Sequence, residues 1–288
     1  MSSHKDILLG LLVMLVWAGN TVVIKFITLE LPPFTGLALR VTLASIIFLP
    51  FLRWPGKQTF IRLCATMFML CVLHWGSLIW SIDKLEASMA AILLQIQVIF
   101  TVILGRFVFG ETFGWRTACG IGIGIIGVVI LVGLPQNPPA INGVLGMIFS
   151  MVTVAISYAI MKGIKDVSPT NYIAHMHLIP LIPVIALAFM FESPTQIEWQ
   201  SINYKIITIT MLYQVLLVSS VHMIWQRLMH RNKLSILPNL TLLLPIFGVV
   251  IAMIFLNEDI TTTMLIGGLL TTCGVTIVMI RQQQKQKA

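Results

Sequence analysis

The sequence predicts an all-α membrane protein: ten transmembrane helices arranged as two inverted five-helix repeats, with the N- and C-termini cytoplasmic. Three observations carry that expectation. Hydrophobicity comes in separate runs, each about as long as the apolar core of a bilayer is thick; Lys and Arg gather on alternate connections; and a segment that follows the fourth run returns after the ninth.

Of 288 residues, 58% are hydrophobic and only 10% charged, against about 25% charged in soluble domains. The mean hydropathy is +0.97. Apolar runs place helices near 7–27, 33–52, 62–83, 87–108, 115–134, 142–162, 171–191, 204–226, 234–256 and 262–280. Little chain remains for a soluble domain.

Each run carries its own polar signature. The first sets Trp17, Asn20 and Thr21 on one helical face, an amide beside an aromatic wall. The second opens on Pro32-Pro33 and holds Arg40 about two turns in, where a buried structural partner or a backbone carbonyl is expected. Lys25, near the end of the first run, is expected to snorkel toward the interface. The third has His74, Ser77 and Ser81 on one face with Trp75 adjacent. The fourth has Gln95 and Gln97; about 200° separates them on a regular helix, so only one faces a small ligand, and Gln95 shares its face with Ser88 and Ala91. The fifth is marked by Gly120, Gly124 and Gly127, small residues that let helix backbones approach.

The sixth run has a stripe of Ser150, Thr153 and Ser157, followed by Tyr158, and the seventh contains Pro180 and Pro183. The eighth offers Tyr213 with Ser220 and, on another face, Ser219 with His222; the ninth has Pro238, Asn239 and Pro245; the tenth has Gly267, Gly268 and Gly274. Serine and threonine also pack helices and bond their own backbone, so cavity lining and packing both remain open for these stripes. Prolines remove backbone donors and bend helices, either as gating hinges or as static kinks. The candidate substrate-binding set is Trp17, Asn20, His74, Trp75, Gln95, Ser157, Tyr158, Tyr213 and Asn239, with Pro180, Pro183, Pro238 and Pro245 as hinges and Arg40, Glu111 and Glu258 as structural residues.

With the N-terminus inside, the inner connections and ends hold Lys5, Arg53, Lys57, Arg62, Arg106, Arg116, Lys162, Lys165, Arg227, Arg231, Lys233, Arg281, Lys285 and Lys287, while the outer loops hold only Lys84 and Lys205. Positive charge accumulates on the cytoplasmic side. The net charge of +8 forms no basic run interleaved with aromatics, which argues against nucleic acid. Cys64, Cys71, Cys119 and Cys273 fall inside runs at spacings that fit neither a metal site nor a disulfide framework, and read as small apolar fillers. No metal, cofactor or obligate protein partner is implied; the expected partners are a small-molecule substrate and membrane lipid. The first run lacks a convincing cleavage site and is expected to be retained as helix one.

The repeat sets Gly110-Glu111 on Asn257-Glu258, and at the same offset Gly120, Gly127 and Val128 on Gly267, Gly274 and Val275. A weaker match sets Leu9-Gly10 on Leu145-Gly146 and Pro33 on Pro169. The halves are then 1–134 and 135–288. Five helices per half is odd, so the second copy lies upside down relative to the first. Inverted repeats give two nearly equivalent conformations around a midplane site, the logic of a transporter.

Trp17-Ala18-Gly19-Asn20 and Lys25, Pro32-Pro33 and Arg40, Phe109-Gly110-Glu111, and Pro245, Gly248 and Glu258 together resemble the drug/metabolite transporter superfamily, in particular EamA-type proteins related to bacterial exporters of cysteine and O-acetylserine. The resemblance covers essentially the whole chain. It implies a ten-helix fold with a central cavity in the inner membrane, exporting amino-acid metabolites by alternating access; relatives that handle nucleobases, vitamins or drugs keep those cargoes open. An intramembrane transferase is the alternative of a different class, and would need clustered Asp or His ligands or a nucleophile with its base, which the sequence does not offer. All ten acidic residues lie at or beyond run ends, so a midplane carboxylate relay is not expected.

Overall fold

The computed structural model describes residues 4–110, 114–132, 138–161, 164, 167–231 and 237–287; within these, the side chains of a few residues, Pro238 and Asn239 among them, lie outside the description, as does Glu111 entirely. The described residues are helical, with no strand. Among the described residues nine helices are long and apolar enough to cross a membrane: α1 Lys5–Glu30, α2 Pro33–Phe51, α3 Lys57–Lys84, α4 Ala87–Val108, α5 Trp115–Val132, α6 Ile141–Met161, α7 Pro169–Phe191, α8 Tyr204–Trp225 and, last of them, α10 Thr262–Arg281. Between the last two lies the shorter α9, Leu240–Leu256.

The ninth helix begins later than its apolar run because its entry is wound as a 3-10 turn over Leu237–Leu243 before Pro245 opens the regular helix. A proline in the first turn loses no intrahelical bond. At Pro180 the missing donor has a different result: α7 breaks into Pro169–Leu178 and Leu181–Phe191. α3 and α8 each contain a widened π-type stretch, Phe68–His74 and Tyr213–Val218, and α4 is interrupted at Leu94-Gln95.

Successive helices alternate direction, and contacts across the bundle confirm it. The end of α7 meets the start of α2 through Glu192, the end of α1 meets the start of α8 through Glu30 and Asn203, and the end of α9 meets the start of α4 through Glu258. On the other side, the start of α7 meets the chain after α2 through Asn171 and Arg53. The face carrying the start of α1 therefore also carries the end of α10.

α5 and α10 form the tightest seam. A Cβ on Gly127 would collide with the backbone of Thr271, and one on Gly274 with the backbone of Gly124; Gly120 approaches Gly274, and Gly267 approaches Gly127 and Leu131. The contact Gly120–Gly274 maps onto Gly267–Gly127 under the repeat offset. The two helices run antiparallel about a local two-fold axis, as inverted repeats require. Gly110 at φ +66° and Asn257 at φ +52° close α4 and α9 in the same left-handed conformation, one of the few in which Asn substitutes for Gly. Two of the cysteines depart from expectation: Cys119 and Cys273 are exposed on the outer sides of α5 and α10 rather than filling the bundle.

Candidate functional site

A cavity of about 440 Å³ lies between the halves, lined by α1, α2, α3, α4, α6, α7, α8 and α9. Its wall is buried where Ile27, Leu37 and Ile79 meet, toward the end of α1, and partly exposed along Gln97, Tyr158, Trp225 and Leu244, toward the face carrying the start of α1. The cavity therefore opens toward one face and is sealed toward the other.

The seal is polar and bridges the halves. Glu258 accepts from Ala87 N (2.7 Å) and Ser88 N (2.9 Å), and Glu192 accepts from Phe34 N and Thr35 N (both 2.6 Å) and from Thr35 Oγ1 (2.9 Å). Each is a carboxylate on a helix N-terminus, where unpaired N–H groups and the helix dipole both favour a negative charge. Glu30 accepts from Asn203 N (2.9 Å) in the reverse sense, first half to second. Lys25 does not snorkel: its Nζ donates to the carbonyls of Ile82, Asp83 and Leu85 at 2.9–3.0 Å, closing the end of α3. Those carbonyls have no intrahelical donor, so they satisfy the ammonium better than the interface would.

Of the predicted substrate-binding residues, Trp17, Asn20, His74, Trp75, Gln95 and Tyr158 line the cavity. Trp17 packs against His222 and Trp225 with ring centroids 5.1 and 5.4 Å away. His74 Nδ1 lies 2.7 Å from Ser150 Oγ, tying α3 to α6. Gln95 Nε2 donates to Thr241 O (2.9 Å), tying α4 to the 3-10 entry of α9. Gln97 also lines the wall, contrary to the expectation that only one glutamine would. The physical reason is the interruption at Leu94-Gln95, where Gln97 N bonds Leu94 O and Val98 N bonds Gln95 O. Such i→i+3 winding turns about 120° per residue, which brings the second glutamine round toward the first.

Ser157 and Tyr213 do not reach the cavity. Ser157 is fully buried with its Oγ on Val154 O (2.8 Å), and the Tyr213 hydroxyl donates to Val16 O (2.6 Å) beside Gly19, joining α8 to α1. Arg40 is the converse case. It does line the cavity, and among the described residues no backbone carbonyl meets it; its guanidinium sits 4.1 Å over the Trp75 ring. Pro180 and Pro245 mark breaks or starts of helices, and Pro183 lies one turn past the α7 break. The side chains of Pro238 and Asn239, and all of Glu111, lie outside the described residues.

The residues missed from the sequence are Gln214, which donates to Asn20 Oδ1 (2.7 Å), and its wall-mate Trp225; His222, noted on a face with Ser219 but left out of the substrate-binding set, lines the same wall. A signal existed: Gln214, Val218 and His222 recur every four residues, a helical face that the serine-based stripes obscured. Buried polar atoms without a partner among the described residues include Trp17 Nε1, Arg40 Nε and Gln214 Oε1, all on cavity-lining side chains.

Outside the spans, burial pushes the Glu86 carboxyl above its ordinary range, and the carboxylate of Glu258 adds to the push.

The EamA-like transporter family model matches the chain twice, over 4–133 and 141–280, and the chain belongs to that family. Two similar proteins are each named "Probable amino-acid metabolite efflux pump". The one from Salmonella typhimurium is 28% identical over 291 residues, and the one from Escherichia coli 27% over 296; each alignment covers 96% of this chain and 95% of the relative. An uncharacterized transporter from Archaeoglobus fulgidus is 25% identical over 99% of this chain and all of its own length. A solved structure, titled only "Crystal structure of protein", superposes with a TM-score of 0.66 at 16% identity, covering 99% of this chain and 100% of that one, a likeness of fold.

Proposed function

We propose that this protein exports amino acids and related small metabolites, of the cysteine and O-acetylserine kind, across a bacterial inner membrane by alternating access through the central cavity. The observation that carries the reading is a cavity between two inverted halves, open toward one face and closed toward the other by contacts that run from half to half. Closing the open end and breaking the sealed one would carry a solute across without exposing both faces at once. The names of the Salmonella and Escherichia relatives support the solute class, and family membership supports transport over the transferase alternative.

The repeats, 1–134 and 135–288, are the moving bodies in this reading. The distribution of Lys and Arg supports a cytoplasmic open face and cytoplasmic termini, which would make this conformation the loading state of an exporter. Trp17 and Asn20 supply an aromatic wall and an amide; Pro180 and Pro245, at helix breaks, supply bending points.

Counterflow in proteoliposomes tests the proposal. Vesicles are preloaded with unlabelled amino acid, and uptake of the labelled solute is followed. Saturable counterflow of cysteine or O-acetylserine, reduced about tenfold or more in Trp17→Ala/Asn20→Ala, is the expected result. Flux confined to nucleobases or cationic drugs would replace the cargo, and no flux from folded protein would remove the transport reading.

A further inference from the structure

We infer that Arg40 is the carboxylate anchor of the cavity, and that the solutes carried are therefore acids and zwitterions of amino-acid size rather than cations. The inference rests on the transport reading and deepens it. Arg40 is more than nine-tenths buried on the cavity wall, yet among the described residues neither a hydrogen bond nor a carboxylate meets its guanidinium; its contact is the Trp75 ring, and Nε has no partner. A buried cation left without an acid is costly, and in membrane spans such groups pair with one another or with what passes.

The chain has no acid to spare for it. All ten Asp and Glu residues lie at or beyond the ends of spans, and Glu192 and Glu258 are already occupied by helix N-termini. Stacking explains how the charge is held in place. The ring face attracts the cation and fixes the guanidinium plane, leaving an edge of N–H donors free for a two-point grip on a carboxylate.

The same cavity offers the complementary end. Gln214 Oε1, without a partner among the described residues, and Asn20, bonded to Gln214 Nε2, supply amide groups that suit an ammonium without adding a charge. A zwitterion is thus neutralised at its acid end and solvated at its amine end, whereas a cationic drug finds the same amides but no acid of its own to offset the Arg40 charge.

The experiment compares matched solutes that differ only at the carboxyl group: serine with serinamide, and cysteine with cysteine methyl ester and cysteamine. Counterflow is measured for wild type, Arg40→Lys and Arg40→Gln, with monodispersity in detergent as the check on folding. Wild type is expected to exchange the acids at least about tenfold better than their amides, esters or amines. Arg40→Gln is expected to erase that preference, and Arg40→Lys to keep it with a raised half-saturation concentration.

Should Arg40→Gln fail to fold, the wild-type selectivity series and Arg40→Lys still decide. Equal exchange of acids and amides by wild type overturns the assignment while leaving transport intact, as does folded Arg40→Gln that retains the preference. Absence of exchange for every solute overturns the transport reading itself, and the inference with it.

Discussion

α3 and α8 widen at the same step of their repeats, over Phe68–His74 and Tyr213–Val218, and α4 and α9 tighten into i→i+3 turns at Leu94-Gln95 and Leu237–Leu243. Distortions that cost hydrogen-bond geometry have persisted in both halves, so the duplicated scaffold holds them as part of its design. The wall chemistry did not follow. The offset that sets Pro33 on Pro169 also sets Gly36 on Tyr172 and Arg40 on Met176; all four of the latter line the cavity, and only one is charged. In the proposed cycle, two-fold symmetry would let the molecule exchange its open and sealed ends, and asymmetric side chains would give the solute a preferred end.

The comparison is broken most severely at the seam that both halves share. Replacing Gly274 by Val drives a side chain into the Gly124 backbone, and neither helix backbone can yield without parting the pair. We expect Gly274→Val to cost about 3 kcal/mol or more and to abolish monodisperse protein in detergent. Gly122→Val, on the partner helix α5 with open space where its Cβ would stand, is the control and should purify normally.

This seam was the most legible part of the molecule, because Gly120, Gly124, Gly127, Gly267 and Gly274 repeat at helical spacing and at the repeat offset. Helix number and alternation were legible for a similar reason: apolar length acts locally, and each span must reverse the chain. The site was legible only in part. Asn20 and Trp17 fall on one face of a regular helix, so counting by 3.6 finds them. Gln97 escaped because Leu94-Gln95 changes the winding, which no residue type announces. Arg40 and Lys25 were assigned roles from depth alone, yet their partners, Trp75 and the end of α3, come from another helix and become neighbours only on folding.

A smaller perturbation separates the two ends of the cavity. Both second-half carboxylates clasp first-half helix N-termini, Glu192 with three hydrogen bonds and Glu258 with two. Glutamine keeps one acceptor but turns an NH₂ group toward N–H donors and removes the charge, a loss of about 1–2 kcal/mol per site. In a background with the four native cysteines replaced, a reporter at Leu37→Cys on the sealed end should label about tenfold faster from that side in Glu258→Gln. Glu192→Gln should raise labelling further, and a reporter at Tyr158→Cys on the open end should change little. Equal labelling at both ends would mean that the carboxylates hold the fold rather than the gate.

The smallest effect tests whether the sealed end is tuned by charge. Glu86 is exposed at the surface beside Glu258, and partial desolvation together with that neighbour holds its carboxyl above the ordinary range. A carboxyl whose folded pKa is raised favours the folded state while protonated. Its contribution is complete below the unfolded value and is lost as pH climbs through the folded one. Thermal stability of wild type should therefore fall slightly, by about 1 °C given the exposure of the group, as pH rises through and just above the usual carboxylate range. Glu86→Gln removes both the titration and the repulsion of Glu258, so its melting temperature should match wild type at low pH and exceed it at neutral pH. A Glu86→Gln protein that melts below wild type at neutral pH would instead make Glu86 a net partner of Lys25, the cation that closes α3 a few residues away. In that case the sealed end is held by attraction within the first half as much as by reach from the second.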